Sequence, residues 1–169
     1  NLYLDTAQTV LFGGPRLDHV PVSLACAASM AMPVFFSPVR VGNRYYVDGS
    51  VGPQTEIDIA VAHGAKLIVV LNPNVPVVSS AFPDGVPTGH GVSASINDKG
   101  LMWVYHQALR TSVQAKLQQA SVIAEQQHGA HVLMLEPTAE TASRFVENAS
   151  SWQARRDIKR LRSEERRVG

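Results

Sequence analysis

Asp48 is the residue of this sequence best placed to do chemistry. It follows the β-forming run Tyr45-Tyr46-Val47 and precedes Gly49, so the chain can turn sharply there and leave a carboxylate at the strand end. A carboxylate in that position can act as a general base towards a hydroxyl group. Asp-Gly is also a common way to end a strand in an Asx turn, and the dipeptide alone favours that structural role.

Other polar residues are less suited to catalysis. His90 stands in a loop with no second His, Cys or carboxylate at metal-ligand spacing, which predicts an exposed loop histidine. His128 and His131 flank Gly129 at a predicted helix end, where a structural role is favoured. The single cysteine, Cys26, excludes an internal disulfide and is interpreted as a small buried hydrophobic residue.

The elements that must position Asp48 follow from the residue pattern. Gly42-Asn43 separates the β-forming runs 39–41 and 44–47, which predicts a two-residue hairpin. The alanine-rich segment 22–32, bounded by two prolines, predicts a short buried helix, and Phe35 and Phe36 after it are interpreted as core packing. Further predicted elements are strands at 2–5 and 9–12, a helix at 56–63 ended by Gly64, a strand at 66–71 buried on both faces, a loop at 72–97, a helix at 98–128, a strand at 131–135 and a helix at 141–152.

The order of these features over residues 2–71 resembles the C-terminal half of the patatin-like phospholipase family. The resemblance is carried by Ala28-Ser29, Pro33, Phe35, Pro38, a hairpin that ends in Tyr46-Val47-Asp48-Gly49, and a helix followed by a strand that begins at Gly64-Ala65. In that family, the Asp of an Asp-Gly-Gly or Asp-Gly-Ala motif pairs with the Ser of a Gly-x-Ser-x-Gly elbow.

The resemblance implies a lipid acyl hydrolase that uses a Ser-Asp dyad and an acyl-serine intermediate. Asp48 falls on the position of the proton acceptor, and Gly49 and Ser50 complete its motif. The implied substrate is a phospholipid, a lysophospholipid or a related acyl ester, with a membrane surface as one place of encounter. No metal or cofactor is implied. The implied fold is a three-layer α/β/α sandwich with a mostly parallel central sheet, present here in part.

The sequence departs from the family pattern at several positions. It contains no Gly-x-Ser-x-Gly, and the nearest string, residues 91–95, lacks the closing glycine and is interpreted as loop. Ser50 stands where Gly or Ala is usual, and its hydroxyl could crowd the carboxylate or hydrogen-bond to it. Pro53 and Glu56 stand where Asn and Pro are common.

Two alternatives remain open. In the first, the chain is part of an α/β-hydrolase in which Asp48 orients His90, His128 or His131, although the Asp-Gly hairpin argues against it. In the second, it is a non-catalytic α/β binding domain, as the missing nucleophile suggests.

The composition and the ends of the chain limit the size of its core and the kinds of partner that it can have. With 169 residues and 45% hydrophobic composition, the chain is large enough for one core. Residues 155–169 form a basic tail, and 162–169 resemble the translation of a common sequencing adapter, so we expect that last part to be an artefact. Without the tail, acidic residues outnumber basic ones, which argues against nucleic acid as a partner. We expect residues 1–154 to be the C-terminal part of a patatin-like domain, inactive without the missing upstream part.

Overall fold

The computed structural model describes residues 1–81, 84–88, 91–93 and 95–138, which form a mixed α/β fold. His90, the helix predicted over residues 141–152 and the basic tail 155–169 lie outside the described residues. The strands are β1 (Leu2–Tyr3), β2 (Gln8–Thr9), β3 (Val39–Val41), β4 (Arg44–Val47), β5 (Leu67–Leu71), β6 (Val86–Thr88), β7 (Gly91–Ser93) and β8 (His131–Leu135). The helices are α1 (Val22–Ser29), α2 (Glu56–Ala62) and α3 (Leu101–His128).

The chain divides into two compact units. The first contains Asn1–Ile68 and Lys116–Val132, and the second contains the described residues of Val69–Ala115 and residues 133–138. The sheet of the first unit has the strand order β2-β1-β4-β3, and all of its strand pairs are antiparallel. The pairs β1–β2 and β3–β4 are antiparallel because a short turn joins the strands of each, as the predicted hairpin requires for β3–β4. Parallel pairing, which we expected for the central sheet, occurs between β5 and β8.

The predicted hairpin is confirmed. Val39 pairs with Tyr46 and Val41 pairs with Arg44 across the two-residue turn. Gly42 in that turn has a φ of 62°, a conformation that favours glycine because it has no Cβ.

Strand β4 is anchored by the burial of its last two residues. Tyr46 is 1% exposed and Val47 is 2% exposed. The Tyr46 ring packs against Tyr3, at 5.6 Å between ring centroids, and edge-on against Phe12 at 5.2 Å. Full burial of an apolar side chain of this size stabilises a fold by about 1.5–3 kcal/mol. The end of β4 is therefore held in place by the core of the unit.

Helix α1 is shorter and more exposed than the sequence predicts. It ends at Ser29, and Ala28 is its only fully buried residue. Cys26, which we interpreted as buried, is exposed. The helix contacts β3 and β4, so only the side at Ala28 is enclosed by the described residues.

A capping box begins helix α2, and a glycine with a positive φ follows its end. The Thr55 hydroxyl accepts a hydrogen bond from the Asp58 N–H, and the Asp58 carboxylate accepts one from the Thr55 N–H at 2.7 Å, which forms a capping box. Gly64, with a φ of 83°, ends the helix as predicted.

Strand β5 pairs with β8 in a two-stranded parallel sheet. Ile68 is buried, but Leu67 is 68% exposed and Leu71 is 74% exposed. The expectation that this strand is buried on both faces is therefore wrong for one face. Alternate side chains of a strand point to opposite faces, and the described residues cover only one of them.

The second unit contains structure in the segment that we predicted as loop. Strands β6 and β7 form an antiparallel hairpin there. Val77 and Val86 are buried beside Ile96 and Trp103. The Gln107 side chain exchanges two hydrogen bonds with the Val77 backbone, at 3.0 and 2.7 Å, so a side chain of α3 fixes this segment.

The long helix largely matches its prediction. A single 3-10 turn, Asn97–Lys99, precedes Gly100 and then α3, which ends before Gly129 with a φ of 60°. Strand β8 is also as predicted. Among the described residues, no helix combines the length and the apolar character that crossing a membrane requires.

We expect Thr55→Ala to lower the free energy of unfolding by about 1 kcal/mol, because it removes the cap of α2. Urea denaturation followed by circular dichroism would measure the change. Thr111→Ala is the matched control, since the Thr111 hydroxyl is exposed and, among the described residues, donates back to the Gln107 carbonyl within α3. Equal losses in the two variants would contradict a capping role for Thr55.

Candidate active site

Asp48 lies directly after β4 and caps the single 3-10 turn Gly49–Val51. Its Oδ1 atom accepts a hydrogen bond from the Ser50 N–H at 2.8 Å, and its own N–H donates to the Ala31 carbonyl at 3.0 Å. The Asx turn expected for Asp-Gly is therefore formed. Within the described part of the chain, Oδ2 accepts no hydrogen bond. One carboxylate oxygen is thus fixed, and the other is available to a proton donor.

Gly49 is needed for a different reason from the one that we predicted. It belongs to the 3-10 turn and does not have a positive φ. A Cβ atom at this position would lie 2.8 Å from the Asn1 backbone nitrogen, closer than Cβ atoms normally approach. Glycine therefore allows the turn to pass close to the chain before β1, and the carboxylate keeps its position at the strand end.

Ser50 contributes to the site through its backbone. Its N–H binds Asp48, whereas its hydroxyl is buried and has no hydrogen-bond partner among the described residues. The hydrogen bond from this hydroxyl to the carboxylate that we considered is therefore not formed. Thr9 Oγ1 is also buried without a partner in the described part of the chain, and it would lie 3.4 Å from a Cβ at Gly52.

Lys116, on α3, also contacts the site, although it was not among the predicted site residues. Its ammonium group donates to the Ser50 carbonyl at 2.6 Å and to the Gly52 carbonyl at 2.7 Å. Burial lowers the pKa of Lys116, and the nearby carboxylate of Glu56 opposes that shift. The one available signal was that Lys116 is among only three Asp, Glu, Lys or Arg residues of α3, and it precedes the buried Leu117.

The histidines do not form a triad with Asp48 in the described residues. His131 is the first residue of β8, and His128 lines a cleft of about 180 Å³ between α2 and the end of α3. That cleft also contains Asp58, whose Oδ2 atom already accepts hydrogen bonds in the capping box. Over the described ranges, no three His, Cys, Asp or Glu side chains are grouped as metal ligands.

An exposed apolar segment follows α1 and is joined to the site through the Ala31 carbonyl. Met30 is 70% exposed and Phe36 is 62% exposed, and Phe35 and Val34 are exposed as well. Val34 has a φ of 76°, which is strained for a β-branched residue. The interpretation of Phe35 and Phe36 as core packing is therefore wrong for this structure. We call residues 30–36 the apolar loop.

Comparison with known proteins supports the resemblance described above. Residues 2–61 match the family model described as patatin-like phospholipase. Neither a curated protein nor a solved structure matches the chain. The matched segment contains Asp48, Gly49 and Ser50, and it ends before α3. Residues 2–61 are therefore similar to patatin-like phospholipases, and this similarity supports lipid hydrolysis as the general class of function.

We expect Ser50→Ala to leave the free energy of unfolding unchanged or to raise it by about 1 kcal/mol, because it removes a buried hydroxyl without a partner. The backbone N–H that binds Asp48 remains. Asp48→Ala provides the contrast, since it removes the acceptor and should lower the free energy of unfolding by about 1 kcal/mol. Urea denaturation of both variants would measure these changes, and a large loss in Ser50→Ala would show that the hydroxyl has a partner.

Proposed function

We propose that this chain is part of a lipid acyl hydrolase in which Asp48 is the proton acceptor of a Ser-Asp dyad. The nucleophilic serine would come from a Gly-x-Ser-x-Gly segment outside this sequence. The observation that carries the proposal is that Asp48, within the family match, follows the buried end of β4 with one oxygen fixed and the other available. The 169-residue chain would lack activity by itself.

In the proposed reaction, Asp48 Oδ2 takes the proton of the serine hydroxyl while the serine oxygen attacks the acyl carbonyl. The proton then passes to the departing alcohol, and an acyl-serine remains. Asp48 next takes a proton from water, and the water oxygen attacks the acyl-serine. The bond between the acyl carbon and the serine oxygen then breaks, the fatty acid is released, and the proton on Asp48 passes to the serine oxygen. Backbone amides outside this sequence would hold the negative charge on the carbonyl oxygen.

The hydrogen bond from Ser50 supports this role for Asp48. A carboxylate can rotate about its terminal bond, and a fixed Oδ1 restricts the directions that Oδ2 can take. Alignment of a base with the proton that it removes contributes to rate because the reacting groups no longer have to be ordered during the reaction. An Asx turn and a catalytic carboxylate are therefore compatible uses of the same residue.

The apolar loop supports a lipid substrate. It exposes Met30 and Phe36 in a segment whose Ala31 carbonyl binds the Asp48 N–H. Exposed apolar surface of this kind is typical of binding sites for apolar partners. We propose that the acyl chain of a phospholipid, lysophospholipid or related ester lies along this loop, either from solution or from a membrane surface.

We also propose that these residues belong to a three-layer α/β/α sandwich. The exposed face of β5, with Leu67 and Leu71, supports this because a parallel strand with such a sequence is usually covered on both faces. The Ser-His-Asp alternative has less support, since among the described residues Asp48 has no hydrogen bond to a histidine.

The chain of 169 residues should show no hydrolysis of short-chain nitrophenyl esters above the buffer rate, because it contains no Gly-x-Ser-x-Gly. Labelling with a fluorophosphonate should be absent for the same reason. A product burst together with such labelling would overturn the assignment of the nucleophile to a segment outside this sequence.

In a longer chain that includes the Gly-x-Ser-x-Gly segment, Asp48→Asn should lower kcat by about 10² to 10⁴. The amide oxygen can still accept from the Ser50 N–H, so the melting temperature should barely change. Hydrolysis of a lysophospholipid and thermal melts would measure both effects.

His128→Gln and His131→Gln are the controls for this experiment, since a Ser-Asp dyad does not use histidine. Each should retain the wild-type rate within a few-fold. A normal rate in Asp48→Asn together with an inactive histidine variant would replace the dyad with a Ser-His-Asp triad. Absence of hydrolysis in the unaltered longer chain would instead favour a non-catalytic binding domain.

A further inference from the structure

We propose that Lys116 is a positioning residue that holds the Asp48 carboxylate through the backbone of Ser50. The inference rests on the proposed function as far as catalysis is concerned. Its structural part, that Lys116 fixes the turn after β4, can be tested in the 169-residue chain without any activity.

The geometry gives two short hydrogen bonds from one ammonium group. Lys116 Nζ lies 2.6 Å from the Ser50 oxygen and 2.7 Å from the Gly52 oxygen. Hydrogen bonds from a charged donor at such distances are stronger than those between neutral groups. Ser50 is the middle residue of the 3-10 turn and Gly52 follows its last residue, so neither carbonyl has a partner within so short a turn.

Ser50 links this ammonium group to the carboxylate. On one side, its N–H donates to Asp48 Oδ1 at 2.8 Å, and on the other side, its carbonyl accepts from Lys116. The Gly52 N–H closes the turn by donating to the Gly49 carbonyl at 2.9 Å. If the Ser50 carbonyl lost its donor, the residue could rotate, and the N–H that holds Asp48 would move with it.

The contact of Lys116 with the turn is not an exposed surface contact, because the lysine is partly buried on a fixed part of α3. The lysine is half-buried, and burial lowers its pKa, so its charge is kept in the fold against a desolvation penalty. Leu117 and Ala120, which follow it on α3, are buried and fix that part of the helix. The ammonium group is therefore presented to the turn from a fixed element.

The chain offers a matched control in Lys66. Its ammonium group also donates to a backbone carbonyl in the first unit, that of His128, at 3.1 Å, but the contact is exposed and does not involve the turn after β4. Lys66→Met thus removes one lysine-to-carbonyl hydrogen bond away from the turn, whereas Lys116→Met removes the two at the turn. Lys116→Arg retains a cation with several N–H donors and is the conservative variant.

Amide hydrogen exchange of the 169-residue chain, measured by NMR, tests the structural part. In Lys116→Met, the Ser50 amide should exchange about ten-fold faster, the effect expected from the loss of a charged hydrogen bond. The amides of β3 and β4 should stay within roughly two-fold of wild type, and Lys116→Arg should largely restore the Ser50 amide. Lys66→Met should leave the Ser50 amide unchanged.

Two results would overturn the inference. The first is an unchanged Ser50 amide in Lys116→Met. The second is an equal acceleration of the Ser50 amide and of the amides of β3 and β4, because that pattern would mean that the lysine supports the whole unit. A variant that unfolds gives this second result, so the measurement decides in either case.

The catalytic part is tested in the longer chain with the Gly-x-Ser-x-Gly segment. There, Lys116→Met should lower kcat about ten-fold and leave KM within roughly two-fold, because the substrate is bound but the base is misaligned. Lys116→Arg should recover most of kcat. An unchanged kcat in Lys116→Met would refute the positioning role, whereas an inactive unaltered chain would refute the proposed function and leave the exchange result standing.

Discussion

The Ser50 backbone joins the candidate catalytic carboxylate to the helix that supports it. Its N–H binds Asp48, and its carbonyl binds Lys116. Both bonds use the main chain, so neither of them requires a particular side chain at this position. This explains how a serine can stand where the family usually has Gly or Ala, even though its hydroxyl has no partner among the described residues.

The carboxylate also depends on the rigidity of the strand that precedes it. Tyr46 and Val47 are almost completely buried, and the ring of Tyr46 packs against those of Tyr3 and Phe12. The Asp48 N–H is bound to the Ala31 carbonyl, so the strand end is held by main-chain contacts as well. A base on such a rigid element can be aligned more closely than one on a loop without these contacts.

The hydrophobic residues near the site fall into two groups, one buried in the core and one exposed to solvent. Tyr46 and Val47 build the core of the first unit, whereas Met30 and Phe36 remain open to solvent in the apolar loop. Exposure of large apolar side chains is unfavourable in water by about 25 cal/mol for each Å² that burial would remove. Occupation of the loop by an acyl chain would recover part of that free energy, which connects the surface to the proposed lipid substrate.

Signals confined to a few neighbouring residues determined much of the local structure. Gly42-Asn43 predicted the hairpin, Gly64 and Gly129 predicted helix ends, and the position of Asp48 after a strand was correct. Each of these features depends on backbone preferences and on contacts within one or two turns of the chain. The family resemblance over this region was likewise readable from the order of local motifs and is confirmed over residues 2–61.

The tertiary structure alone decided what surrounds these elements. The pairing of β1 with β4, the open face of β5 and the exposure of the apolar loop depend on which surfaces meet in the fold. The contact of Lys116 with Ser50 joins residues that are 66 positions apart. No local pattern encodes such a contact, because its formation requires that burial of Leu117 and Ala120 first fixes α3 beside the turn.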